Sequence, residues 1–274
     1  MTEVSNLINL EIPIGTTSTG EIFELKLFSR SMMNCFITGC IGSGKSNLLR
    51  AIVKNTMKKY SSENINIWLL NGKLSEFNDI LPLYPNKLTN IDISSEESIK
   101  TIIKTLFDET KNRFKKLIEN GVSSYAELKN DTVMSRLLIV VDDFHIVDRI
   151  LEEDYNSKYM FEEILVTGRA VGISLIITNQ TPKCECRGLS PKSKAFIQVL
   201  VSLKNIDGFL FEALDVSKQD LSDLEKEKVH DFLIVIGNFA FNERLFDEKE
   251  NHFVNKITLA TAEYVPYQKL GEVL

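Results

Sequence analysis

The chain has 274 residues, 43% of them hydrophobic and 26% charged, with a formal net charge of −6. That balance allows a full buried core, and its acidity excludes a general nucleic-acid coat while leaving room for a local basic surface such as the lining of a ring. No run approaches the ~18 consecutive apolar residues of a membrane span, and residues 1–10 lack the basic start of a signal peptide. The expectation is a soluble, cytoplasmic protein without a transmembrane segment, recruited to the inner face of the membrane only through a membrane-anchored partner.

In chain order, residues 12–27 read as a small N-terminal β-hairpin around a turn at 16–20. An apolar strand at 34–38 runs into a glycine-rich loop, and a helix is expected over 44–60. Strands follow at 65–70 and 90–93. A long helix is expected over Glu96–Glu119, where Ile99, Ile102, Ile103, Leu106 and Phe107 recur at helical spacing. Ser94 or Ser95 caps it and Gly121 ends it. Strands are expected at 137–141, 173–178, 196–202 and Asp231–Ile236, with helices at 158–170 and 217–228 and an extended arm after Thr258. Short strands rich in Ile, Val and Leu alternating with amphipathic helices indicate an α/β fold with a mostly parallel central sheet flanked by helices. No linker divides the chain. It reads as one domain, with an N-terminal β extension (1–30), a core (31–258) and a C-terminal arm (259–274).

The glycine-rich loop, Gly39-Cys40-Ile41-Gly42-Ser43-Gly44-Lys45-Ser46, fits G-x-x-x-x-G-K-[ST] completely and lies between a strand and a helix. Glycines at 39, 42 and 44 allow the backbone to turn its amides toward phosphate oxygens, and the helix N-terminus adds its dipole. Lys45 is placed for the β- and γ-phosphates of ATP, and the Ser46 hydroxyl for Mg2+. These eight residues and Asn47 are the candidate nucleotide contacts.

The strand at 137–141 ends in Asp142-Asp143. An apolar strand ending in acids, paired with an upstream phosphate loop, places Asp142 on Mg2+ and Asp143 on the attacking water. His145 reads as a packed or surface histidine. Of four cysteines, Cys35 lies in an apolar run and Cys40 in the phosphate loop. Cys184 and Cys186 form a C-x-C pair short of the four ligands a zinc site takes, so both read as reduced loop cysteines.

Four segments resemble the FtsK/SpoIIIE family of motor ATPases. They are Ile12-Pro13-Ile14-Gly15 with Gly20 and Glu21; the phosphate loop; Asn71-Gly72-Lys73, where the family has an Asp-Pro-Lys-Gly-like turn; and the run from Gly168-Arg169 to Gln180-Thr181-Pro182, similar to the family's Gly-Arg-x-x-Gly-Ile-His-Leu-Ile-Leu-Ala-Thr-Gln-x-Pro. Residues 113–128 also resemble the type VII secretion ATPases, a branch of the family that has relatives in conjugation systems. The resemblance implies a RecA-like P-loop NTPase core, ATP hydrolysis coupled to translocation, and a homo-oligomeric ring, a hexamer, acting on DNA or on a secreted protein. It implies that Gln180 senses the γ-phosphate or the water. Arg169 is either an arginine finger reaching a neighbour's nucleotide or a cation at a helix C-terminus.

The chain also departs from the family pattern. Asp143 stands where the family has Glu, one methylene longer, and Asn71 replaces an acid. A terminal Gly-x-Gly-Asp-Met-Leu-like segment is replaced by residues 231–238. Two readings follow: a ring-forming ATPase that moves DNA or protein, and a degenerate ATP-binding module that recognises a secretion substrate or partner with little hydrolysis. Basic clusters at Lys58-Lys59 and 111–116 lie on expected helices, whereas 183–194, with Arg187, follows the Gln180 strand as a candidate pore loop.

Overall fold

The computed structural model describes residues 10–17, 22–28, 34–73, 77–128, 134–180 and 186–203, together with the backbone of four later strands. The strands are β1 (Ile12–Thr17), β2 (Ile22–Leu25), β3 (Cys35–Gly39), β4 (Ile65–Asn71), β5 (Leu88–Asp92), β6 (Arg136–Val141), β7 (Ile173–Asn179), β8 (Val199–Leu203), β9 (Asp231–Ile236), β10 (Leu245–Asp247), β11 (His252–Val254) and β12 (Lys256–Thr261). The helices are α1 (Lys45–Lys59), α2 (Glu96–Glu119), α3 (His145–Glu153), α4 (Tyr155–Thr167) and the single turn α5 (Pro191–Lys194). The expected helix at 217–228 lies outside the described residues.

Ten strands form one sheet in the order β2-β1-β12-β9-β8-β3-β7-β6-β4-β5, while β10 and β11 pair separately. The six strands from β8 to β5 are parallel. The other four add antiparallel pairings at one side, so the N-terminal hairpin joins the main sheet through β12. The tail expected as an arm after Thr258 is therefore a strand as far as Thr261, paired on both sides.

Alternation along the strands divides the interior into two cores, as a sheet covered on both faces requires. Leu137, Ile139 and Val141 of β6 face α2, α3 and α4, where they join Leu106, Ile150 and Phe161. Leu138 and Val140 face the other way, toward Ile52 and Val53 of α1 and toward Ile12, Ile14 and Leu25 of the hairpin. The hairpin is fastened to α1, with Asn55 Nδ2 donating to Pro13 O at 2.8 Å.

Helix α2 begins as its sequence predicts. Ser95 Oγ accepts from Ser98 N at 3.1 Å, and Ser98 Oγ accepts from Ser95 N at 3.2 Å, which closes a capping box. Gly121 then takes φ 67°, the left-handed turn that ends the helix. The expected helix at 158–170 differs from the structure. It starts earlier, at Tyr155, because Asp154 caps it by accepting from Ser157 N at 3.0 Å, and residues 168–171 tighten into a 3-10 turn. Helix α3 was not expected. Its signal is short but present: Val147, Ile150 and Leu151 are buried at spacings of three and four.

A buried ion pair joins α1 to the loop after β4, with both Arg50 Nη atoms donating to the Asp79 carboxylate. The two side chains are 3% and 5% exposed, so each charge depends on the other for solvation it has lost. We predict that Asp79→Ala lowers the stability of the fold by about 3–5 kcal/mol, measured by urea denaturation, with the shift in midpoint at unchanged slope as the readout.

Candidate nucleotide site

Parallel strands bring their C-terminal ends to one edge, and that edge gathers most of the site. The register pairs Thr38 with Asn179, so Gln180 follows at the level of Gly39, the first residue of the phosphate loop. It also pairs Val141 with Ile177 and with Leu70, so Asp142, Thr178 and Asn71 share the next level. Strand β7 stands between the loop-bearing β3 and the acid-bearing β6.

The loop is built by close approach. A Cβ at Gly39 would sit 2.5 Å from Leu203 O on neighbouring β8 and 2.5 Å from Ser43 Oγ, so no larger residue fits. Gly44, with φ 100°, forms the N-cap of α1 without a side-chain cap. Lys45 folds back over the loop, its Nζ donating to Gly39 O at 2.6 Å and Cys40 O at 2.9 Å. Burial pulls its pKa below the ordinary lysine value, opposed by the carboxylates of Asp143 and Asp142 nearby. Ser46 and Asn47 are half-buried in the first turn of α1, and Ile41 stands out at the tip of the loop.

At the acidic strand end, Asp142 is 3% exposed. Thr178 Oγ1 donates to its Oδ1 at 2.5 Å, and the Asp143 amide lies 3.1 Å from both oxygens. This orients the carboxylate from β7. Asp143 adopts φ 54°, a left-handed conformation that costs a non-glycine residue of order 1 kcal/mol. Its carboxylate is paired with Lys73 Nζ at 2.6 Å. Lys73 comes from the Asn71-Gly72-Lys73 turn after β4, which Asn71 closes by donating from Nδ2 to Lys73 O and accepting from Lys73 N, both at 2.8 Å. The turn was expected from the sequence, but the reach of its lysine to Asp143 was not. The presence of a cation two residues beyond a strand end was the available signal.

The fit to ATP and Mg2+ rests on three features. Within the loop, the Ser43 Oγ is buried and makes no hydrogen bond within the protein. Lys45 supplies the cation, and a hydroxyl (Ser46) with a carboxylate (Asp142) is the hard oxygen donor set that Mg2+ takes alongside phosphate. Among the described residues no group of three or more His, Cys, Asp or Glu is placed to cage a metal unaided.

Arg169 is not brought to this edge. It lies ahead of β7, whose seven residues set it roughly 23 Å from Gln180 at the strand rise of ~3.3 Å. It is exposed and lines a cavity of about 320 Å3 with Tyr125 and Arg136. His145 is exposed at the start of α3, Cys186 is buried against Asn179 Nδ2 at 3.5 Å, and Cys184 lies outside the described residues. Burial raises the Cys35 thiol pKa well above its usual range.

The FtsK/SpoIIIE family model matches residues 7–185, well over half of the chain. The chain belongs to the FtsK/SpoIIIE family. It is 24% identical over 179 residues to the DNA translocase FtsK of Caldanaerobacter subterraneus subsp. tengcongensis, covering 64% of this chain and 24% of that protein. It is 26% identical over 192 residues to FtsK of Streptococcus pyogenes serotype M3, covering 64% of this chain and 23% of that one. The chain thus spans about a quarter of the length of these curated relatives. Its fold is like that of the cytoplasmic domain of the Thermomonospora curvata type VII secretion ATPase EccC, with a TM-score of 0.69 at 20% identity over 99% of this chain and 30% of that one. It is also like the pCW3 conjugation coupling protein TcpA in its monomer form with ATPgS, with a TM-score of 0.65 at 18% identity over 95% and 67%. This family member has a P-loop NTPase fold, and among its described residues no helix is long and apolar enough to cross a membrane.

Lys45 is the cation of the phosphate loop. We predict that Lys45→Ala weakens ATP binding by on the order of a hundredfold, measured by titrating a fluorescent ATP analogue. An unchanged affinity would remove the assignment of the loop.

Proposed function

We propose that this chain is one ATPase motor domain that binds Mg2+-ATP at the strand edge and uses hydrolysis to move a polymer through a homo-oligomeric ring. The observation that carries the reading is the register that sets a complete phosphate loop and a Thr178-oriented Asp142 on either side of β7, at one edge of one sheet. The hairpin, the parallel strands and β12 share that sheet, which supports treating the chain as a single domain.

In this reading the loop amides and Lys45 hold the phosphates, while Ser46 and Asp142 hold Mg2+, which neutralises charge developing on the phosphoryl oxygens. Gln180, exposed at the end of β7 beside Gly39, orients the water. Asp143 is the acceptor for the water's proton. Arg169, exposed at the opposite edge, is available to a neighbouring copy, so its role belongs to an assembled ring, for which we propose six subunits.

The relatives named above act on DNA or belong to type VII secretion and conjugation systems, and the substrate here falls in the same two classes. Arg187, Lys192 and Lys194 follow β7 in the chain and form a candidate basic surface for the polymer, whereas Lys183 lies outside the described residues. A membrane-anchored partner would bring the domain to the inner face of the membrane.

One observation favours a slower, binding-type module. Asp143 is short, held in a left-handed turn, and already engaged by Lys73.

ATPase assays with and without double-stranded DNA separate these readings. We predict turnover stimulated by DNA, and a loss of about a hundredfold or more in Asp143→Asn, the usual worth of a positioned base. Turnover unaffected by DNA would point to a protein substrate. Wild-type turnover equal to that of the variant would select the binding module.

A further inference from the structure

Four charged side chains meet around the phosphate loop: Lys45, Asp142, Asp143 and Lys73. Three of them have assigned roles in the proposed chemistry. The fourth, Lys73, has none, yet its attachment is specified in detail. The Asn71 side chain makes two hydrogen bonds of 2.8 Å that close the turn carrying it. Gly72 lies flat against α3, where a Cβ would come within 3.0 Å of Ile146 Cδ1. Together these direct the lysine to Asp143 Oδ2 at 2.6 Å.

The two partners differ in environment. The Lys73 side chain is 57% exposed and that of Asp143 is 10% exposed. Between exposed groups such a pair contributes little. Here it neutralises a nearly buried carboxylate that stands close enough to Lys45 to act on its charge. A phosphate loop exists to hold several negative charges. An uncompensated carboxylate at its mouth repels those charges, and at an effective dielectric constant near 20 one extra charge some 8–12 Å away corresponds to about 1.4–2 kcal/mol, roughly tenfold or more in affinity.

We infer that Lys73 is a positioning residue of the nucleotide site: it fixes the Asp143 carboxylate and cancels its charge so that triphosphate binds beside it. The inference rests on the reading of this edge as a nucleotide site, but not on hydrolysis. It assigns a purpose to the Asn71-Gly72-Lys73 turn, and it makes Asn71 the brace of a cation.

The test is a double-mutant cycle read by binding of fluorescent ATPγS in the presence of Mg2+, which needs no turnover. Lys73→Met is expected to bind about tenfold more weakly than wild type. Adding Asp143→Asn to that variant is expected to recover most of the loss, because the charge that repelled the phosphates is gone. Lys73→Arg keeps the positive charge and is expected to bind within about threefold of wild type. If Lys73 instead contacts phosphate directly, the double variant stays as weak as Lys73→Met, and the inference is overturned. An unchanged affinity in Lys73→Met overturns it as well. A wild-type protein that binds ATPγS but never hydrolyses ATP rejects the motor reading and leaves this cycle as a complete test. A wild-type protein that binds no nucleotide rejects both.

Discussion

Two interstrand steps, about 9.5 Å at the usual spacing, separate the strand that carries the phosphate loop from the strand that ends in Asp142. That width follows from β7 lying between β3 and β6. With β7 between them, the inserted strand becomes part of the site. Its Thr178 hydroxyl turns Asp142, and its last residues carry the chain past Gly39 to Gln180. The parallel register is thus a constraint on chemistry as much as on folding, because a slip of one residue in β7 would exchange Thr178 for a neighbour facing the opposite core.

The same edge combines strain and charge. Asp143 holds a left-handed backbone while its amide bonds to Asp142 and Thr178 and its carboxylate to Lys73. Three elements, β4, β6 and β7, therefore converge on two consecutive acids. Electrostatic reach links them to Lys45 in α1, which burial alone would discharge more easily. Lys45 donates to its own loop carbonyls, which holds the cation over the loop at the expense of its solvation.

Local signals in the sequence were reliable where the chemistry is local. The capping serine of α2, the left-handed Gly121 and the glycine-rich loop between β3 and α1 each depend on a few adjacent residues, and each lies where the sequence put it. So does the parallel core, because strands buried on both faces show as unbroken apolar runs such as residues 137–141. What was not legible depends on distant pairings. The cation-acid contact of Lys73 and Asp143 joins residues seventy apart, and no periodicity reports it. The strand nature of β12 comes from partners on both sides rather than from its composition. Helix α3 is too short for its three buried residues to stand out.

The pairing of β1 with β12 brings residues near 16 beside residues near 261. A chain that leaves the ribosome from its N-terminus makes β12 some 240 residues after β1. Until then the hairpin can rest on α1 but has no strand along its other edge, so an unpaired row of amides and carbonyls persists until β12 is made. Closing so long a loop is slow relative to the local folding of the helices. A chain that stops short of β12 keeps the residues of the loop and the acids, yet leaves an open edge on β1 available to another chain.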